Sequence, residues 1–356
     1  MKLFKSLLVA PATLGLLAPL SATANEVTIN DFNAAEEIAV TNSRVDGLEA
    51  RLNNFEAGSF SETTSASFGS TFYVGAVDGG TVTVDDVTSD AEAVTFSYDF
   101  AMDLSTSFTG EDSLDIAVIG GNASGTAVDD FMGGDGTSDA LTLDGVSYTF
   151  PLGGATVIVG DGVGVDDLNT GACAYSAFTD LLSDCGTSNV GGSADSAFAI
   201  AYDFDNGFTL AGGAGGGTGT DGFFTEEDAS TIGLEAAYTA DTYGVSVAYT
   251  DDEATTYWSV QAMLAPEGYP SLSVGYETDD DDADAIFAGL TFAEVGPGSV
   301  SLGMASTDLS SDDYYQYELA YSYPLNDGMT ITPGVFIKET SGDDETGVVV
   351  TTSFSF

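Results

Sequence analysis

The chain has no histidine, and only five of its 356 residues are basic. Without histidine there is no imidazole base, no Ser-His-Asp triad and no histidine-containing metal site. Against those bases stand 57 acids, a formal charge of −52. Such a polyanion repels nucleic acid and attracts cations. There are only two cysteines, Cys173 and Cys185, enough for a single disulfide in an oxidising compartment. Beyond residue 20 no apolar run reaches the roughly 18 residues of a membrane-crossing helix.

Acidic chains so poor in bases are often disordered. This one is 43% hydrophobic and 11% aromatic, with 22 Phe and 16 Tyr. Its first residues read as an export signal. Lys2 and Lys5 precede an apolar stretch from Leu7 to Leu20, and Ala22-Thr23-Ala24 is an A-x-A cleavage site. Residues 1–24 are therefore expected to be removed, with the mature chain starting at Asn25. That leaves three bases, Arg44, Arg51 and Lys338, and a formal charge of −54. Export, abundant aromatics and no helical span leave a secreted all-β protein or an outer-membrane barrel, the one kind of sheet that crosses lipid without an open edge.

Residues 31–56 differ from all that follows. Apolar or small residues recur at Ala34, Ile38, Thr41, Val45, Leu48, Leu52 and Phe55, a heptad seam. Ile38, Val45 and Leu52 take a positions, Leu48 and Phe55 d positions. Arg44 and Arg51 then fall at g and Glu49 and Glu56 at e, the g-to-e′ spacing of a parallel coiled coil. The helix would be about 39 Å long. The alternative is a lone amphipathic helix lying on the barrel. β-Branched a and Leu d residues by themselves favour two strands.

After Gly58 the period becomes two. Sixteen alternating segments can be cut, at roughly 64–76, 91–103, 112–119, 140–149, 154–160, 196–204, 207–214, 229–239, 242–250, 255–264, 270–278, 284–293, 298–307, 313–322, 328–338 and 346–356; fourteen is the alternative count. Most match the 9–11 residues of a tilted membrane strand. One side of each is apolar, as in Ile232, Leu234, Ala236 and Tyr238. The other carries Ser, Thr, Gly, Ala and acids. The links sort into short turns at one end and long acidic loops at the other, the asymmetry of an outer-membrane barrel rather than a sandwich. The expected organisation is a signal peptide over 1–24, a periplasmic coiled-coil helix over 25–57 and an all-β, antiparallel transmembrane barrel over 58–356.

Val45-Asp46-Gly47-Leu48-Glu49-Ala50-Arg51-Leu52 and Phe60-Ser61-Glu62-Thr63-Thr64 resemble the coiled coil and first strand of cyanobacterial major outer-membrane porins, of the OprB-type carbohydrate-selective porin family. Leu104 to Asp112 is similar to that group's second hairpin, and Asn326 to Phe356 to its last two strands. The likeness is weak from about 120 to 195. It implies a homotrimeric passive diffusion channel for small hydrophilic solutes, with some members linked to inorganic ion or iron uptake. Many such porins carry a cell-wall-gripping module before the coiled coil. About a dozen residues separate Asn25 from the heptads here, which argues against a peptidoglycan anchor.

Within this frame strand parity puts Asp99, Asp103, Asp115, Glu235, Glu277 and Glu318 on the lumen side, as candidate pore-lining acids. Rings of Asp and Glu select cations. The third long loop, 161–195, carries Asp161, Asp166, Asp167, Asp180 and Asp184 and both cysteines. Third loops of trimeric porins often fold inward, so these are candidate constriction residues; an exposed, disulfide-stapled loop is the alternative. Tyr257, Phe287 and Tyr314 are candidate lumen aromatics. Asp203 to Gly207 fails the EF-hand spacing, and Gly212 to Gly217 precedes no helix, so it reads as a flexible loop rather than a phosphate site. No metal or cofactor is expected. An adhesin barrel whose acidic loops bind divalent cations is the rival binding function. An enzyme would need an activated nucleophile, for which there is no candidate.

Overall fold

The structure, a computed structural model, describes residues 64–356 except 80, 85–86, 91–92, 135, 192–195, 218–223, 226–228, 282 and 307–313. The expected signal peptide and the heptad residues Ile38, Val45, Leu48, Leu52 and Phe55 lie outside the described residues.

The period-two segments form strands. In chain order these are β1 (Thr64–Asp78), β2 (Thr81–Val84), β3 (Val87–Asp90), β4 (Thr95–Thr106), β5 (Ser113–Gly121), β6 (Thr142–Leu152), β7 (Ala155–Asp161), β8 (Ser196–Asp203) and β9 (Phe208–Gly216). They continue with β10 (Thr231–Ala240), β11 (Tyr243–Asp251), β12 (Thr256–Leu264), β13 (Ser271–Asp279), β14 (Asp284–Val295), β15 (Gly298–Ser306), β16 (Tyr315–Asn326), β17 (Met329–Lys338) and β18 (Glu345–Ser355). All but β2 and β3 close into one sixteen-stranded barrel in which every strand pairs antiparallel with its chain neighbours. β18 returns to β1, with ten residue pairs from Gly69–Ser355 to Asp78–Thr346. The last residue joins the seam: Phe356 N–H donates to Phe68 O (3.0 Å) and Phe68 N–H to Phe356 O (2.8 Å).

Two elements were not legible as such. β2 and β3 form a separate hairpin in the first long link, which moves the start of the next barrel strand from 91 to Thr95. A short helix, α1 (Ala127–Met132), interrupts the link from β5 to β6; Thr126 caps it by accepting from Asp129 N–H. The glycine-rich stretch read as a flexible loop is strand: Gly212 to Gly216 lie in β9.

Alternation sets the two faces. Leu234 and Trp258 on the outer face are 55% and 51% exposed, and Ile232, Val245, Val260, Leu272 and Val274 join them in an apolar band suited to lipid. Inward positions hold small or polar residues such as Ser246, Ser259, Ser273 and Ala237, all buried. A tight turn joins β4 to β5. In the link 107–112, the Asp112 carboxylate accepts from Ser107 Oγ, Phe108 N–H, Thr109 N–H and Tyr148 Oη at 2.9, 2.9, 2.8 and 2.6 Å.

Candidate functional site: the inner wall and its two inward loops

Residues 162–191, which follow β7, leave the rim and run along the inside of the barrel. They meet Gly213 of β9, Glu235 of β10, Gln261 of β12, Ser273 of β13, Glu318 of β16 and Gly334 of β17 in turn. One loop of this length reaches strands half the ring apart, β9 and β17, only from within. Close approach explains some of the small inner residues. A Cβ on Gly213 would stand 2.3 Å from Val165 O, and one on Gly275 2.1 Å from Cys185 O. Gly213 of β9 and Gly233 of β10 are therefore the bare positions over which Val165 passes where the loop enters.

Three of the six acids read as pore-lining anchor this loop. Glu235, Glu277 and Glu318 are only 6%, 0% and 2% exposed. Glu235 accepts from Thr170 N–H (2.6 Å) and Gly171 N–H (2.8 Å). Glu277 accepts from Asn189 Nδ2 (2.7 Å) and Val190 N–H (3.1 Å). Glu318 takes four donors: Tyr175 Oη, Phe178 N–H and Thr179 N–H, each at 2.8 Å, and Thr179 Oγ1 at 2.5 Å. Buried carboxylates need such donors. Strand parity found the face of these acids; no local pattern pointed to the loop backbone as their partner. Gln261, not singled out from sequence, does the same work. Its Oε1 accepts from Ala172 N–H (2.8 Å), and its Nε2 donates to Asp184 O (2.7 Å) and Thr187 Oγ1 (2.8 Å).

Cys173 and Cys185 form a disulfide, Cα to Cα 5.9 Å, closing a loop whose cross-link is worth about 3 kcal/mol in the chain-entropy picture. Cys185 is buried with Leu182, Phe287 and Ala305, and Tyr175 packs its ring 5.1 Å from that of Phe287. Phe287 is thus a seat for the loop rather than an open lumen aromatic. Asp184 and Cys185 both adopt left-handed backbone, with φ of 49° and 53°. Such conformations in non-glycine residues persist where the surroundings enforce them.

The other named acids divide. Asp99 shares the inward parity of buried Ser97 and accepts from the Tyr73 hydroxyl. Asp103 is exposed and Asp115 half-buried on that same face, where Asp115 accepts from Ser113 Oγ at 2.8 Å. Asp166, Asp167, Asp180 and Asp184 ride on the inward loop. Burial is the main force pushing the Asp166 carboxyl up to about 6, with Asp167, Asp184 and Glu235 adding repulsion. Asp166, Asp184 and Glu235 border a cavity of about 330 Å³ between loop and wall. Asp161 is a correction. It is the last residue of β7, not a loop residue, and alternation gives it the outward parity of exposed Val159. Tyr257 has inward parity with buried Ser259, and Tyr314 lies just before β16.

A second link also enters the barrel, which the sequence did not signal. Ala127, Val128 and Phe131 of α1 bury against Tyr73, Val77, Ala320, Phe336 and Val349 of the wall and Phe178 of the first loop. The rings of Phe131 and Phe336 pack at a tilt of 33°, with 4.2 Å between centroids. Ser97 Oγ donates to Asp129 at 2.5 Å and ties the helix to β4. Lys338, the only base after residue 51, has the inward parity of Phe336 and places its Nζ 5.5 Å from the Phe131 ring centre.

No family model matches the chain. An uncharacterized protein of Nostoc sp. (strain PCC 7120) is 30% identical over 165 residues, which are 42% of this chain and 27% of that protein. Among solved structures, the low-pH form of Pseudomonas putida OprB matches with a TM-score of 0.58 at 12% identity, over 83% of this chain and 93% of that one. A variant of the Rh. blastica porin matches at 0.56 and 13%, over 82% of this chain and all of the other. The chain has the fold of the sixteen-stranded porins.

Proposed function

We propose that the protein is a passive, cation-preferring diffusion channel of the outer membrane for small hydrophilic solutes or inorganic ions, a trimeric porin of the OprB type. The observation that supports it most is the interior. A closed barrel with an apolar outer band holds an inward, disulfide-closed loop, and the titratable side chains described on the inner wall and that loop are carboxylates and tyrosines apart from Lys338. Charges in a narrow aqueous passage act over about 8–10 Å at moderate salt. Asp99, Asp103 and Asp115 on the wall and Asp166, Asp167, Asp180 and Asp184 on the loop would draw cations and repel anions. Glu235, Glu277 and Glu318 serve the selectivity indirectly, by holding the loop.

Reversal potentials in a tenfold KCl gradient across planar bilayers test this. The cation-selective sign is expected, large at low ionic strength and fading near molar salt as screening shortens. A potential near zero or of anion-selective sign overturns the reading. Sugar competition in the same bilayers separates a carbohydrate path from an ion path.

A further inference from the structure

A cavity of about 510 Å³ lies between α1, the inward loop and the first residues of β16 and β18 with the last of β17. That volume is in the range of small-molecule sites, about 300–1,000 Å³. Its charges are of both signs. Lys338 contributes the ammonium. Asp130 of α1, Asp180 and Asp184 of the inward loop and Glu345 of β18 contribute four carboxylates. Lys338 and Glu345 are direct cross-strand partners. Yet among the described residues no carboxylate oxygen stands within 4.0 Å of the ammonium, which sits over the Phe131 ring instead.

We propose that this cavity is a binding subsite for small zwitterions, molecules with a carboxylate at one end and an ammonium at the other. The inference rests on the channel reading above and names a solute class for it. A simple anion entering here meets four carboxylates for one ammonium. A simple cation finds the acids but also the ammonium among them. A zwitterion places its carboxylate on Lys338 and its ammonium on the acids, so both ends gain. The contact between an ammonium and an aromatic ring is weaker than a charge-assisted hydrogen bond, so Lys338 can exchange Phe131 for a ligand carboxylate.

The test uses the full mature protein and glycine as the probe, with glucose, methylammonium chloride and sodium acetate as neutral, cationic and anionic controls. Calorimetric titration of the detergent-solubilised barrel and single-channel recording are run side by side. Glycine is expected to bind saturably and to interrupt the current, while the three controls do neither at the same concentration. Lys338→Gln should weaken glycine binding at least tenfold, Lys338→Arg should keep it, and Glu345→Gln should weaken it with Lys338 intact. A barrel that conducts KCl but binds glycine no better than glucose, or as well in Lys338→Gln, overturns the inference and leaves the channel standing. Glycine binding that depends on Lys338 in a barrel that does not conduct supports the subsite and sinks the channel. Equal binding of methylammonium shows a plain cation site and overturns the zwitterion assignment.

Discussion

Glu318→Gln tests whether the inward loop is held by buried carboxylates. The substitution keeps size and shape. In the native structure four donors converge on the carboxylate: Tyr175 Oη and Phe178 N–H on Oε1, Thr179 N–H and Oγ1 on Oε2. An amide offers one acceptor oxygen, so one backbone N–H, that of Phe178 or Thr179, faces an NH₂ group, while the hydroxyl beside it turns to accept from that group. A buried donor left without an acceptor costs about 1–3 kcal/mol, so the closed loop loses about that much relative to an open one. At 1.36 kcal/mol per factor of ten, the open population rises at least about fivefold. Chymotrypsin reads this directly, because Tyr175 and Phe178 are sheltered only while the loop is seated. When opening is fast relative to cleavage, the rate follows the open population. Both sites lie between Cys173 and Cys185, so a cut there separates fragments only after the disulfide is reduced. The expected result is cleavage in Glu318→Gln at least about fivefold faster than in wild type, with noisier single-channel currents. Cleavage within a factor of two of wild type, with an unchanged current trace, refutes the anchoring role.

Gly275→Ala should dislodge the same loop, since its Cβ would meet the Cys185 carbonyl at 2.1 Å, whereas Gly69→Ala, with 3.9 Å of room, should change neither chymotrypsin cleavage nor conductance. Asp166, pushed up to about 6 mainly by burial, should take up a proton between pH 7 and 5; cation preference falls over that window, and Asp166→Asn, measured by reversal potential, lacks the step. Asp112 is held below its ordinary range first by the Tyr148 hydroxyl and then by the Thr109 N–H. Its folded value is the depressed one, so its stabilisation is present above about pH 4 and is lost as the pH falls below that. Thermal unfolding should show wild type losing more stability than Asp112→Asn between pH 5 and 2; equal losses would mean the turn does not depend on this charge.

The barrel was legible in the sequence because its physics is local. A strand between lipid and an aqueous interior must alternate, as Ile232, Leu234 and Ala236 alternate with Thr231, Gly233 and Glu235, and a period of two survives without knowledge of the partner strand. Sixteen segments, the closing role of Phe354 and Phe356 and the sorting of short and long links all follow from such counting. Parity likewise placed Glu235, Glu277 and Glu318 on the inner face. What those side chains do there was not local. Glu318 is separated by 139 residues from Thr179, and only the folded barrel brings them together. The entry of α1, its apolar packing on Phe336 and the seat of Lys338 over Phe131 depend in the same way on a loop meeting a wall more than 200 residues away. Gly213 shows the difference at one residue. In sequence it belongs to a glycine run that reads as flexibility; in the barrel it is a rigid strand position kept bare for the passage of Val165. Neighbouring residues alone carry the alternation that separates outward from inward strand positions. Which inward residues meet water and which meet the loops depends on the path of two long links through a space that sixteen distant strands enclose together.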